Sequence, residues 1–239
     1  MPLPFELARR AAVLAAGCVL LVACNGDLTL PDDGGGVTPG PDAISVQGGN
    51  GQEGTVGEVL AQALTVRVTS DGKPIAGQGV VFEADDGDGQ LVPDTTVTNA
   101  SGEATALWTL GSTPGGHSAT AKLITGGKTV RFTAEAAVGP PASLTIVSGD
   151  EQRGEAFAEL AEPLVVAVAD RFGNPVEGVS ILWDVTAGRG ELSADESTSD
   201  GSGRSQVSWT LGFFLGTQTA DARVEGLDGS RVTFRASIF

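Results

Sequence analysis

The sequence is poor in the side chains that most often carry catalysis or bind transition metals. Among 239 residues there is one histidine, His117, and there are two cysteines, Cys18 and Cys24. A structural zinc site needs four cysteine or histidine ligands, so the sequence cannot supply one. A Ser-His-Asp relay could use only His117, and no serine lies in a Gly-x-Ser-x-Gly pattern. We therefore predict a non-enzymatic protein without a catalytic residue or a cofactor.

Positive charge is also scarce. The chain has 14 Lys and Arg residues against 30 Asp and Glu, which gives a formal net charge of -16. No basic cluster follows the first ten residues. Because nucleic-acid binding depends on neutralising phosphates with Lys and Arg, we predict no nucleic-acid partner.

The apolar run at the N-terminus is too short to cross a membrane. It covers residues 11–21, whereas a transmembrane helix needs about twenty apolar residues. Arg9 and Arg10 precede the run and small residues follow it, which is typical of a secretory signal. We therefore expect an exported protein.

The end of this run has a more specific pattern. Leu21-Val22-Ala23-Cys24 resembles the lipobox of bacterial lipoproteins. The resemblance implies removal of a signal peptide, residues 1–23, and three acyl chains on Cys24, palmitate among them, which anchor the chain in a membrane. In some bacteria the residue after the lipidated cysteine determines lipoprotein sorting. Here that residue is Asn25 rather than Asp, which favours the outer membrane, at its periplasmic face or at the cell surface. An ordinary secretory signal with an incidental Cys24, or an uncleaved anchor, remains the alternative.

The residues after the lipobox are expected to lack a fold of their own. Residues 24–42 comprise the lipidated cysteine and a segment rich in Gly, Pro and Asp. Such a segment has too few apolar groups to offset the entropy of ordering it. We predict a flexible tether.

The rest of the chain contains an internal repeat. Residues 101–111 recur as residues 201–212, and matching apolar positions extend on both sides at offsets of 100 to 102. Insertions fall in turns, as duplication of a folded unit requires. This repeat predicts a first domain over residues 43–137, a linker over residues 138–141 and a second domain over residues 142–239.

The repeated stretch alternates apolar and polar residues, as a strand with one buried face does. Trp108 and Trp209 occupy matching positions on that face. Each repeat has about seven such short strands separated by turn signals, which predicts an all-β protein with two tandem immunoglobulin-like β-sandwiches. We expect all three tryptophans, Trp183 included, in the cores, and a platform for stacking sugars is the alternative.

The second repeat closely resembles the group-1 bacterial immunoglobulin-like domain of the intimin and invasin family. The residues that carry the resemblance are Asp-Arg-Phe-Gly-Asn-Pro-Val-Glu-Gly-Val at 170–179, Trp183, Gly190, Leu192, Asp200, Gly203, Trp209, Thr210 and Gly212. The first repeat matches with small changes. The family implies a surface stalk or an adhesion module. The β-barrel anchor and the terminal lectin-like domain of full-length intimins are absent from this sequence.

Two further features are candidates for binding. Asp85, Asp86 and Asp88 lie in a Gly-rich loop and could bind calcium, but the distal Glu of a full calcium loop is missing, so a solvated hairpin tip is the preferred interpretation. Residues 213–215, Phe-Phe-Leu, form either an exposed contact surface or, as we expect, a buried corner between strands.

Together these observations predict a lipid-anchored envelope protein with a structural, spacer or adhesive role. The alternative is an accessory binding module for a polysaccharide or a protein partner. Exposed aromatic residues in a shallow groove would favour the binding module, and burial of all three tryptophans would favour the spacer.

Overall fold

The computed structural model describes residues 40–227 and 229–238. This part of the chain forms twenty strands and no helix, so the predicted all-β class is confirmed. None of it is a helix that could span a membrane. The predicted signal peptide, Cys24 and residues 24–39 of the predicted tether lie outside the described residues.

The first sandwich consists of two sheets, antiparallel throughout except that β2 pairs parallel with β10. One sheet has the strand order β1-β3-β8-β6, with β4 paired to β3, and the other has the order β2-β10-β9-β5-β7. The strands are β1 Ala43–Gly48, β2 Gln52–Thr55, β3 Leu64–Ser70, β4 Lys73–Pro74, β5 Gly79–Ala84, β6 Gly89–Val92, β7 Thr95–Val97, β8 Glu103–Leu110, β9 Gly115–Leu123 and β10 Thr129–Ala137.

The second sandwich repeats this topology. Its sheets have the orders β11-β13-β17 and β12-β20-β19-β14-β16, and β15 pairs with β18. The strands are β11 Ser143–Ser148, β12 Gln152–Gly154, β13 Leu164–Ala169, β14 Ser180–Ala187, β15 Glu191–Leu192, β16 Glu196–Thr198, β17 Arg204–Val207, β18 Trp209–Thr210, β19 Gly216–Val224 and β20 Val232–Ile238.

Each sandwich has ten strands rather than about seven, in part because predicted strands are divided in the structure. The first strand of the first sandwich is divided into β1, which pairs antiparallel with β3, and β2, which pairs parallel with β10. Gln52 stabilises the place where the chain passes from one sheet to the other. Its side-chain amide donates to the carbonyl groups of Gly49 and Gln62 at 2.8 Å and accepts from the Gln62 N–H. Gln152 makes the equivalent three bonds in the second sandwich.

The tryptophan strand of the second repeat is also interrupted. We predicted one strand through residues 204–211, but Ser208 separates β17 from β18. Its backbone bonds with Ser193 instead: the Ser208 N–H donates to Ser193 Oγ and the Ser193 N–H donates to Ser208 O, each at 3.0 Å. The interruption leaves the alternation intact, so Trp209 still faces inward.

Each sandwich has its own hydrophobic core. Trp108 and Trp209 are fully buried and Trp183 is 4% exposed, so the predicted core positions are confirmed. The two buried clusters share no residue. Val138, which the sequence assigned to the linker, packs against the second core.

Candidate functional site

The acidic loop between β5 and β6 connects the two sheets of the first sandwich, so the expected hairpin tip is wrong; hydrogen bonds within this sandwich hold the loop. Ser118 Oγ donates to Asp85 Oδ2 at 2.5 Å, and the Ser118 N–H donates to Asp88 Oδ2 at 2.8 Å. Arg131 Nη2 lies 2.6 Å from Asp85 Oδ2. The hydrogen bond from Ser118 is the main cause that lowers the pKa of Asp85; desolvation opposes it, and Arg131 contributes in the same direction as Ser118.

These contacts bear on the calcium hypothesis for Asp85, Asp86 and Asp88. Two of the three carboxylates are already bonded to Ser118, and a guanidinium supplies the nearby positive charge. In residues 40–227 and 229–238, no group of three or more carboxylate, His or Cys side chains is close enough to hold a metal ion. The arrangement therefore adds no support for calcium in this loop.

His117 is a structural residue of the turn that follows the tryptophan strand. The Gly111 N–H donates to His117 Nδ1 at 3.3 Å, and Nε2 lies 2.8 Å from Thr113 O. The side chain is buried. Its counterpart Gln218, fully buried, accepts from the Gly212 N–H at 2.9 Å and donates to the backbone carbonyls of the same turn. Both side chains thus bind backbone groups of the turn, at part-buried positions for His117 and at buried and part-buried positions for Gln218.

The turn after β13, residues 170–174, is built around a buried carboxylate. Asp170 Oδ1 accepts from the Phe172 and Asn174 N–H groups at 2.8 and 2.9 Å, and Oδ2 accepts from Asn174 Nδ2 at 2.9 Å. The Gly139 N–H in the linker donates to the same Oδ2 at 3.1 Å. Burial alone would raise the pKa of Asp170, but these hydrogen bonds outweigh it and lower the pKa.

This turn also contacts the first sandwich. Asn174 Nδ2 donates to Ser112 O at 2.7 Å, and Arg171 Nη2 forms an ion pair with Glu58 Oε1 at 2.9 Å. The Phe172 ring lies against Gly57, so closely that a Cβ atom at Gly57 would be 2.3 Å from the ring. The sequence analysis missed this junction. The visible signal was the one-residue insertion in this turn, which changes the repeat offset from 100 to 101.

The matching end of the second sandwich is apolar and exposed. Phe157, Phe213, Phe214 and Leu215 are 72%, 50%, 47% and 82% exposed, and we name these four residues the aromatic pole. Phe213 stacks on Phe214 with 4.3 Å between ring centroids and lies 6.3 Å from Phe157. The expected buried corner at residues 213–215 is therefore wrong. Gln218 Nε2 donates to the Phe214 carbonyl oxygen, so the fold binds the backbone of this turn while its side chains stay exposed.

Cavities in the described residues do not resemble a sugar site. One cavity, of about 520 Å³, is an open groove beside Gln52, Glu53, Ser118, Arg131 and Glu135, and no Trp or Phe lines it. A cavity of about 200 Å³ at the junction is smaller than the ~300 Å³ that small-molecule pockets usually exceed. Exposed, stacked aromatic rings are found at the aromatic pole instead.

Comparison with known proteins gives structural neighbours only. No family model and no curated protein matches the chain. The D0-D1 domain of intimin is similar over 82% of this chain and 95% of its own, with 19% identity and a TM-score of 0.34. The Escherichia coli adhesin FdeC is similar over 82% of this chain and 63% of its own, with 18% identity and a TM-score of 0.46.

Invasin, described as a bacterial integrin-binding protein, is similar over 82% of this chain, with 24% identity and a TM-score of 0.36; the match spans 39% of invasin. The two-sandwich architecture itself rests on the strands and cores described above.

Proposed function

We propose that this chain is a lipid-anchored, non-catalytic envelope protein in which two immunoglobulin-like domains, residues 43–137 and 142–239, act as a structural spacer. The observation that carries the proposal is the junction. Asp170, Arg171 and Asn174 connect the linker and both sandwiches through hydrogen bonds and an ion pair. A spacer requires such contacts, because domains joined only by a linker move freely by default.

Burial of the tryptophans supports the same role. All three fill the cores, so none is available as an exposed ring for stacking a sugar. The net charge of -16 suits a surface that stays soluble and repels anionic polymers. The Cys24 anchor is proposed from the lipobox pattern alone.

The anchor is tested by comparing Cys24→Ala with Cys18→Ala in the full chain. Cys24→Ala should stay unprocessed and move from the detergent phase to the aqueous phase on phase separation. Cys18→Ala, in which the other cysteine is changed, should be processed and should partition like the parent. Equal behaviour of the two variants would overturn the lipid anchor. Protease shaving of intact cells, followed by detection of the second sandwich, then distinguishes the cell surface from the periplasm.

The aromatic pole supports a second candidate, an accessory module that binds a polysaccharide or a protein partner. Its two stacked rings are exposed, unlike the tryptophans. Under this alternative, Phe213→Ser with Phe214→Thr should abolish retention on cell-wall polysaccharide or on a partner protein while the melting temperature stays unchanged. Retention equal to that of the parent would eliminate the module.

A further inference from the structure

The aromatic pole occupies the place in the second sandwich where the first sandwich meets its neighbour. Phe157 matches Gly57 at an offset of 100, and residues 213–215 match residues 112–114 at an offset of 101. In the first sandwich, Gly57 lies against Phe172, and Ser112 O accepts a hydrogen bond from Asn174. The same surface is therefore an interface in one copy of the repeat and exposed in the other.

Phe157 is held in a conformation that its backbone disfavours. Its φ is +64°, in the left-handed region, where a bulky side chain is an outlier; Gly57 has φ +69° at the matching position. The Phe157 side chain is 72% exposed, so burial within the described fold does not compensate for this strain. Strain combined with exposure indicates a role outside the sandwich's own stability.

The aromatic pole cannot receive a domain in the way that the first sandwich does. At Gly57 an added Cβ atom would lie 2.3 Å from the Phe172 ring and 2.7 Å from Arg171 Nη2. Phe157 carries a whole ring at that position. Head-to-tail docking with the geometry of the junction is thus blocked, and a partner must approach by another geometry.

The surface complements itself in charge and is large enough for a weak dimer. Arg189 lies over the Phe214 ring, 5.8 Å from its centroid, while Glu155 and Glu159 are exposed on either side of Phe157. A two-fold axis can place the cation of one copy against a carboxylate of the other. At roughly 200 Å² for a full aromatic side chain, the four residues expose roughly 500 Å², which is at the upper end for a single chain.

We propose that the aromatic pole binds the aromatic pole of a second copy of this chain, in a tail-to-tail dimer with two-fold symmetry. Two such faces would bury on the order of 1,000 Å², the lower limit of specific interfaces, so association is weak in dilute solution. Anchoring both copies in one membrane, which rests on the proposed function, raises their effective concentration. The two carboxylates oppose the alternative of insertion into anionic lipid.

The test uses thiol crosslinking of the full chain in cells. Leu215→Cys places a cysteine on the most exposed residue of the aromatic pole, and Ile124→Cys, on a residue that is 60% exposed in the first sandwich, is the matched control. A short bismaleimide should give at least fivefold more product of twice the chain mass with Leu215→Cys. Equal yields, or products with other proteins only, would overturn the proposal. A dimer in the parent chain would come from Cys18 or Cys24 and would count against the lipid anchor instead.

A second variant separates a binding role from a structural one. Added to Leu215→Cys, Phe157→Gly introduces the residue that the first sandwich has at this position. Because it relieves the left-handed strain, it should raise the melting temperature of the second sandwich while reducing the dimer yield to that of Ile124→Cys. Phe213→Ser with Phe214→Thr should reduce the yield equally. A lower melting temperature with an unchanged dimer yield would mean that Phe157 serves only the fold.

Discussion

At the residue scale, His117 and Gln218 show how two different side chains satisfy the same backbone. Both follow the tryptophan strand by the same number of residues, and each offers one acceptor and one donor to its turn. The imidazole does this with Nδ1 towards the Gly111 N–H and Nε2 towards the Thr113 carbonyl oxygen. Hydrogen bonding to the backbone of the turn therefore accounts for the single histidine of the chain.

This equivalence predicts that His117→Gln is tolerated and His117→Ala is not. Alanine would leave the Gly111 N–H and Thr113 O without their side-chain partner, at a cost of about 1–3 kcal/mol in the free energy of unfolding. Glutamine should recover most of that. Urea denaturation of the two variants provides the measurement, with Gln218→His as the reciprocal control. Equal losses for His117→Gln and His117→Ala would contradict the shared role.

Asp170 gives a prediction for the dependence of stability on pH. Its pKa is lowered in the folded protein, so its contribution is fully present above the unfolded value of about 3.9 and is lost as the pH falls below it. The difference in unfolding free energy between the parent and Asp170→Asn should therefore shrink as the pH falls from about 5 to about 2. A difference that stays constant over this range would show that the charge of Asp170 is unimportant.

Asp200→Asn is the matched control for that titration. Asp200 also has a lowered pKa, mainly because of its hydrogen bond from Ser202, but it lies exposed in a turn that does not contact the linker. Asp200→Asn should change the free energy of unfolding at acid pH and leave the rate of protease cleavage in the linker unchanged. Asp170→Asn alone should speed protease cleavage within residues 138–141, because the Gly139 N–H loses its charged acceptor.

At the scale of strands and turns, what could be predicted depends on the range of the interaction. Strand β8 was predictable because its alternation is local and a shift of one residue would expose Trp108. The junction was not, because Arg171 and Glu58 are 113 residues apart and neither position shows a periodicity. Residues 213–215 were considered as a contact surface, but we expected them to be buried, because their exposure depends on where the sheets end; Phe157 was not identified.

The contact between Phe172 and Gly57 predicts different outcomes for alanine substitutions at two glycines of the first sandwich. Gly57 and Gly72 have φ values of +69° and +74°, so alanine at either should cost about 1 kcal/mol or more from backbone strain. Only at Gly57 does the new Cβ collide with Phe172, whereas nothing lies within 4 Å at Gly72. Gly57→Ala alone should accelerate cleavage of the linker under limited proteolysis. Similar cleavage rates in both variants would mean that Phe172 does not fix the junction.

At the scale of the whole molecule, the segment that joins the two cores makes its contacts mostly with the second sandwich. Val138 packs against the second core, and the Gly139 N–H binds the buried Asp170 carboxylate. The predicted linker over residues 138–141 thus begins inside the second folded unit. The pattern of the repeat could not reveal this, because a repeat offset aligns positions and carries no information on which core a linker residue contacts.

Two fragments of the second sandwich should therefore differ in stability. A fragment of residues 138–239 keeps the Val138 contact and the Gly139 N–H, whereas a fragment of residues 142–239 loses both and leaves Asp170 with one donor fewer. Loss of a partly buried valine and of a hydrogen bond to a charged group should cost about 2–4 kcal/mol in the free energy of unfolding. Thermal unfolding of both fragments should give single transitions, with that of the shorter fragment several degrees lower. Val138→Ala in the longer fragment should account for part of the difference, and equal melting temperatures would return Val138 to the linker.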